Sequence, residues 1–137
     1  MSAPPRERND AVAVDTSAVI ALLEQEPPAA AIEEALREAS ARLLSAGTYA
    51  ELGIVLAGRG SAVSTASVVE QLELTVVPVD DGMAELAVQA WQRYGRTKHP
   101  AALTFGNCFS YALAKMRHTP LVAIGNDFRQ TDLAIIP

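Results

Sequence analysis

Short apolar runs punctuate the chain at near-regular intervals: "AVAV" at 11–14, "RLLSA" at 42–46, "LTVVPV" at 74–79, "LVAI" at 121–124 and "LAIIP" at 133–137. Runs of this length are too short for helices and suit strands buried on both faces. The segments between them carry apolar residues at helical spacing. Strands alternating with helices lie parallel, because right-handed crossovers return each strand in the same direction and lay the helices over both faces. The expected fold is therefore α/β: a three-layer α/β/α domain with a central, mainly parallel sheet. It is expected over 11–137, with 1–10 as a flexible tail. In such sheets ligands meet the carboxyl ends of the strands, so the residues just after each apolar run are the ones to inspect.

The helical segments have readable ends. "DTS" at 15–17 favours a helix N-terminus, and "AVIALLEQE" continues it until Pro27–Pro28 stop it and start "AAAIEEALREAS". "TYAE", Thr48 to Glu51, matches a capping box for the helix "YAELGIVLAGR". A helix is expected at 62–74, another along "DDGMAELAVQAWQRYG" with Asp80 and Asp81 as caps, and a last one from Phe105 to Arg117.

Composition narrows the class. Half of the 137 residues are apolar, which suits a compact soluble domain. Cys108 stands alone, so no internal disulfide forms, and its apolar surroundings read as packing. The opening "MSAPPRERND" has no apolar core, and no apolar run approaches the ~20 residues that a membrane helix needs. A cytoplasmic protein without a membrane partner is expected. A net charge of −5 argues against non-specific coating of nucleic acid. Yet the stretch 86–126 holds no Asp or Glu, while Arg93, Arg96, Lys98, Lys115 and Arg117 fall within it. Such a window is either a solvated helix pair or a face that steers a polyanion.

Three acids follow apolar runs. Asp15 comes directly after the first, Glu51 lies on the helix after the second, and Asp127 sits beside Asn126 in the loop after the fourth. Each has an ordinary reading as helix cap or turn residue. Together, at one edge of a parallel sheet, they form a candidate carboxylate cluster. With no cysteine or histidine among them, such a cluster suits a hard, oxygen-loving ion, Mg²⁺ or Mn²⁺. An ion held there polarises a phosphoryl oxygen and activates water, the chemistry of phosphodiester hydrolysis. Other chemistries fit poorly: no phosphate loop with its lysine is present, His99 and His118 have no evident partner, and Trp91 and Tyr94 read as packing.

Three segments, "AVDTSAVIALLEQEP", "LLSAGTYAELGIVL" and "HPAALTFGNCFSYALAKMRHTPLVAIGNDFRQTDL", resemble the PIN-domain ribonucleases, and in particular the VapC toxins of bacterial VapBC toxin–antitoxin pairs. The resemblance implies a PIN-like fold and a metal-dependent endoribonuclease whose catalytic and metal-holding acids are Asp15, Glu51 and Asp127. A third acid belongs at position 107, where the family reads F-G-D-C and this chain reads "FGNC". Asn107 keeps a carbonyl oxygen and loses the charge. For a unit charge ~4 Å from an ion, Coulomb's law gives about 4 kcal/mol at an effective dielectric of 20, so weak metal binding and low activity are expected. Removing that carboxylate also relieves repulsion, so restoring Asp is expected to lower stability without metal. Arg96, Lys98, Lys115 and Arg117 are the expected contacts to RNA phosphates. The resemblance further implies a homodimer and a cognate VapB-like antitoxin, with operator DNA reached only through the antitoxin. The competing reading is a non-catalytic PIN-like module whose role is antitoxin binding. A phosphoacceptor receiver domain ranks last, because no suitable lysine follows its last strand.

Overall fold

The computed structural model describes residues 10–137; apart from Asp10, the expected N-terminal tail lies outside them. The strands are β1 (Val12–Val14), β2 (Arg42–Ser45), β3 (Thr75–Val77), β4 (Leu121–Val122) and β5 (Ile135–Ile136). The helices are α1 (Thr16–Leu23), α2 (Ala29–Glu38), α3 (Ala46–Gly58), α4 (Thr65–Gln71), α5 (Asp81–Tyr94) and α6 (Phe105–Arg117), with a 3₁₀ turn at Phe128–Gln130. The sheet order is β3-β2-β1-β4-β5, and every pairing is parallel. All five apolar runs thus become strands of the α/β fold that the alternation requires.

The period-2 geometry of β1 divides the core in two. Val12 and Val14 pack with α1, α2, α3 and α4 residues such as Ile20, Ile32, Leu52 and Val68. Ala13 packs on the other side with α5 and α6 residues such as Met83, Ala87, Ala112 and Leu113. These are the three layers. Arg42 locks one edge: its guanidinium donates to the carbonyls of Leu36 and Leu72, near the ends of α2 and α4, each at 2.8 Å.

Helix ends depart from the sequence expectation most at three helices, and α2 ends at Glu38, two residues short of its expected segment. Helix α1 ends at Leu23 rather than running to Glu26, because Gln25 takes a left-handed backbone (φ 50°) that turns the chain toward Pro27. Helix α4 starts at Thr65 with Ser64 as its cap and ends at Gln71, leaving 62–64 and 72–74 of the expected helix outside it. Helix α3 starts at Ala46, capped by Ser45, whose hydroxyl accepts from the Gly47 amide at 3.1 Å. The capping box expected at Thr48 and Glu51 is therefore not formed. Because β2 ends directly in the helix, Thr48 is already inside it and Glu51 is released for another contact.

Strand order reverses beside β1: the chain moves outward through β2 and β3, then returns to place β4 and β5 on the other side. Such a reversal opens a crevice at the carboxyl ends of the central strands. Asp15 stands at that point.

Candidate active site

Asp15 follows β1 and caps α1, with Oδ2 accepting from the Ser17 amide at 3.0 Å. It does more than cap. The carboxylate is 2% exposed, and its Oδ1 accepts a 2.5 Å hydrogen bond from the Ser110 hydroxyl on α6. Ser110 in turn lies 3.1 Å from the Thr48 hydroxyl of α3, and both are fully buried. A buried carboxylate is costly unless its oxygens are occupied, and here both are. The Ser17 hydroxyl meanwhile accepts from the Ile124 amide at 3.0 Å, tying the start of α1 to the chain beyond β4.

Glu51, one turn further along α3, accepts a 2.6 Å hydrogen bond from Thr16 through Oε1. Its second oxygen lies over Gly106 of α6. A Cβ at position 106 would stand 1.7 Å from Oε2 and 2.4 Å from Cδ, so only glycine admits the carboxylate there. Burial raises the pKa of Glu51 above the ordinary carboxylate value, and the charge of Asp15 adds to the rise against the opposing hydrogen bond from Thr16.

Asn107 occupies the third position of α6. Its Oδ1 accepts from the Thr104 amide at 3.1 Å and from the Thr104 hydroxyl at 2.9 Å, while its own amide donates to Thr104 Oγ1. This is a reciprocal capping box. The side-chain amide oxygen of Asn107 is thus engaged in capping the start of the helix.

Asp15, Glu51 and Asn107 line one open cleft of about 360 Å³, together with Glu26, Arg59 and Ile124. Asp127 is exposed in the loop after β4, opens the 3₁₀ turn without a side-chain cap bond, and does not line this cleft. The four basic residues divide. Arg96 and Lys98 are exposed on the loop that leads into α6. Lys115 and Arg117 sit eight and ten residues beyond Asn107 on the same helix, about 12 and 15 Å along its axis. Lys115 is also occupied, donating to Asp132 at 2.9 Å.

Sequence reading missed the hydroxyls of Thr16, Ser17, Thr48 and Ser110, and it missed Glu26 and Arg59. The offset of Ser110 from Asn107, three residues along one helix face, was the available signal for the first group. Cys108 behaves as expected: it is buried, and burial pushes its thiol up to about 11, away from nucleophilic use.

The donors around the cleft are oxygens, the set that suits a small divalent ion. Their kind fits and their number is short: among the described residues no three Asp, Glu, His or Cys side chains are grouped to hold a metal.

Residues 12–133 match the PIN domain, and the chain belongs to that family. Ribonuclease VapC28 of Mycobacterium tuberculosis is 48% identical over 122 residues, which cover 86% of this chain and 92% of the relative. That likeness places the chain among the VapC ribonucleases. Among solved structures it is similar to Mycobacterium tuberculosis VapC20, a sarcin-ricin loop cleaving toxin, with TM-score 0.72 and 18% identity over 92% of this chain and 99% of that one. A toxin–antitoxin complex from Klebsiella pneumoniae gives TM-score 0.67 and 16% identity over 92% and 96%. At these identities the structures share the fold. PIN-domain ribonucleases generally depend on a divalent metal. Among the described residues no helix is long and apolar enough to cross a membrane.

Proposed function

We propose that this chain is an Mg²⁺-dependent endoribonuclease toxin that hydrolyses a phosphodiester of cellular RNA, weakened as written by Asn107. The observation that carries this reading is the meeting of Asp15, Glu51 and Asn107 on one cleft at the strand-order reversal. Asp15 and Glu51 would hold the ion, with Mn²⁺ as its substitute, and position 107 would complete the set. When bound, the ion polarises a phosphoryl oxygen and lowers the pKa of water. The chain's own part is positioning. Ser110 and the Ser17 amide fix Asp15, while Thr16 and Gly106 fix Glu51, whose Oε2 accepts no hydrogen bond among the described residues and would orient the attacking water. Water would attack phosphorus, giving its proton to the Glu51 carboxylate, as the P–O bond to the leaving nucleotide breaks and the leaving oxygen takes a proton from solvent. Asp127, exposed nearby in sequence to Ile124, would act only through a movement of its loop. Arg96 and Lys98 are the basic residues better placed than Lys115 and Arg117 to meet RNA phosphates near α6.

The partners proposed are a second copy of the chain and a VapB-like antitoxin, with operator DNA reached through the antitoxin. Phe105 and Ile54, 77% and 73% exposed, stand beside the cleft, and an apolar groove of about 480 Å³ runs along Val88, Trp91 and Phe105. Apolar exposure on this scale supports an interface. The acidic cleft suits a basic antitoxin side chain.

Cleavage of total bacterial RNA by this chain and by Asn107→Asp, each with Mg²⁺ and with EDTA, tests the reading. Cleavage by the Asp form alone, and only with metal, is expected. A specific observation favours the non-catalytic module instead: the Asn107 oxygen is turned back onto Thr104. If the folded Asp form cuts none of a broad RNA panel, that module is the working form.

A further inference from the structure

The cleft that holds Asp15 and Glu51 is also lined by Arg59, the one basic residue among its described lining side chains. Arg59 caps the C-terminus of α3, and its guanidinium pairs with Glu24, which caps the C-terminus of α1. Both partners are about half exposed, at 51% and 46%. A half-exposed ion pair is a weak tie in water, readily exchanged for another anion. The remaining charged groups of the cleft are Asp15, Glu26 and Glu51, all acidic, so among its charged lining groups only Arg59 attracts an incoming phosphodiester. A guanidinium is the side chain best shaped to grip phosphate oxygens in pairs.

We propose that Arg59 is a substrate-binding residue whose guanidinium leaves Glu24 for the non-bridging oxygens of an RNA phosphodiester entering the cleft. Glu24 holds Arg59 at the rim until substrate arrives and competes with it. The proposal rests on the ribonuclease reading and adds to it the residue that brings the substrate into an acidic pit.

Opposite signs test it. Binding of a short fluorescein-labelled single-stranded RNA is measured by anisotropy across a salt series in fixed Mg²⁺, using the chain with Asn107 in place, and its Arg59→Ala, Arg59→Lys and Glu24→Gln variants. Arg59→Ala is expected to weaken binding several-fold and to reduce the slope of log affinity against log salt by about 0.7, one single-strand phosphate contact. Arg59→Lys keeps the charge without the fork and falls between. Glu24→Gln tightens binding, because it removes the competing anion. Both Arg59→Ala and Glu24→Gln break the same α1–α3 tie, so a purely structural pair would weaken binding in both. That result, or an unchanged slope in Arg59→Ala, overturns the proposal. RNA cleavage by Asn107→Asp is run alongside: cleavage there with an unmoved Arg59→Ala slope sinks Arg59 alone, whereas absent cleavage and absent RNA binding in every form sink the ribonuclease reading with it.

Discussion

The first and last turns of α6 each touch a carboxylate, and the two carboxylates are driven in opposite directions. At the first turn Gly106 meets Glu51, whose pKa burial raises. At the last turn Lys115 meets Asp132; some desolvation pushes that carboxyl up, but hydrogen bonds from Tyr111 and Lys115 hold it below the ordinary value. The difference is what faces each carboxylate: a phenol and cations at Asp132, a hydroxyl and a second acid at Glu51. Asp132 has two cations supplied by the protein, Lys115 at 2.9 Å and Arg93 at 3.8 Å, and is a structural tie between α5, α6 and the C-terminal loop. Around Glu51 stand the Thr16 hydroxyl and the charge of Asp15, so burial and a like charge outweigh the one hydrogen bond. Basic charge along a helix therefore says little until its partner is known.

The contrast breaks most sharply at Gly106. In an Asn107→Asp background, Gly106→Ala would drive a Cβ into Glu51 and swing its carboxylate out of place. A displacement of ~1 Å can cost about 10²-fold in rate, and that loss is expected in an RNA cleavage assay. The helix itself should not suffer, since Ala exceeds Gly by about 0.8–1 kcal/mol in helix propensity. Lost activity with retained or increased melting temperature is the signature; an unchanged rate would mean that Glu51 does no positioning.

Ser110→Ala comes next. It strips Asp15 Oδ1 of its donor and leaves the Thr48 hydroxyl without its partner, inside a fully buried network. Orphaning such groups costs about 1–3 kcal/mol, measurable as a lower urea midpoint. The equivalent truncation of Lys115 at the far end should cost less, because that group is exposed.

How much of this was legible follows from the range of the interactions. The strands and their parallel order were legible, since apolar runs and crossover handedness act over whole segments. Asp15 and Glu51 were legible as strand-end acids, and the structure brings them to one cleft. The capping box at Thr48 was not formed because a four-residue pattern cannot show where β2 stops, and Ser45 captured the cap. Asn107 as a cap, Ser110 as the donor to Asp15, and Arg59 at the rim depend on which helices meet across the sheet. Short polar side chains are common enough along a chain that only the fold selects among them.

A smaller effect separates the two carboxylates by pH. A carboxyl whose folded pKa is raised binds its proton more tightly folded than unfolded, so its contribution to stability falls as pH rises from the ordinary carboxylate value through the folded one. For Glu51, urea melts in EDTA should show Glu51→Gln gaining on the parent chain as pH goes from 4 toward neutrality, with Thr16 still able to donate to the amide oxygen. If the gap between the two is flat with pH, Glu51 carries no unmet charge.

Lys115→Ala should give the smallest change and the opposite slope. Because Asp132 has a lowered folded pKa, its contribution is present above the ordinary carboxylate value and lost as pH falls through the folded one. Removing Lys115 takes away part of that contribution, under about 1 kcal/mol for a partly exposed pair, so parent and variant differ at neutral pH and converge in acid. RNA affinity and its salt dependence should stay where they were, since Lys115 is engaged by Asp132 and lies about 12 Å along α6 from Asn107. A salt slope that falls in Lys115→Ala by as much as is expected for Arg59→Ala would place RNA beside Asp132 as well as at the cleft, and the two carboxylate neighbourhoods would then share one task.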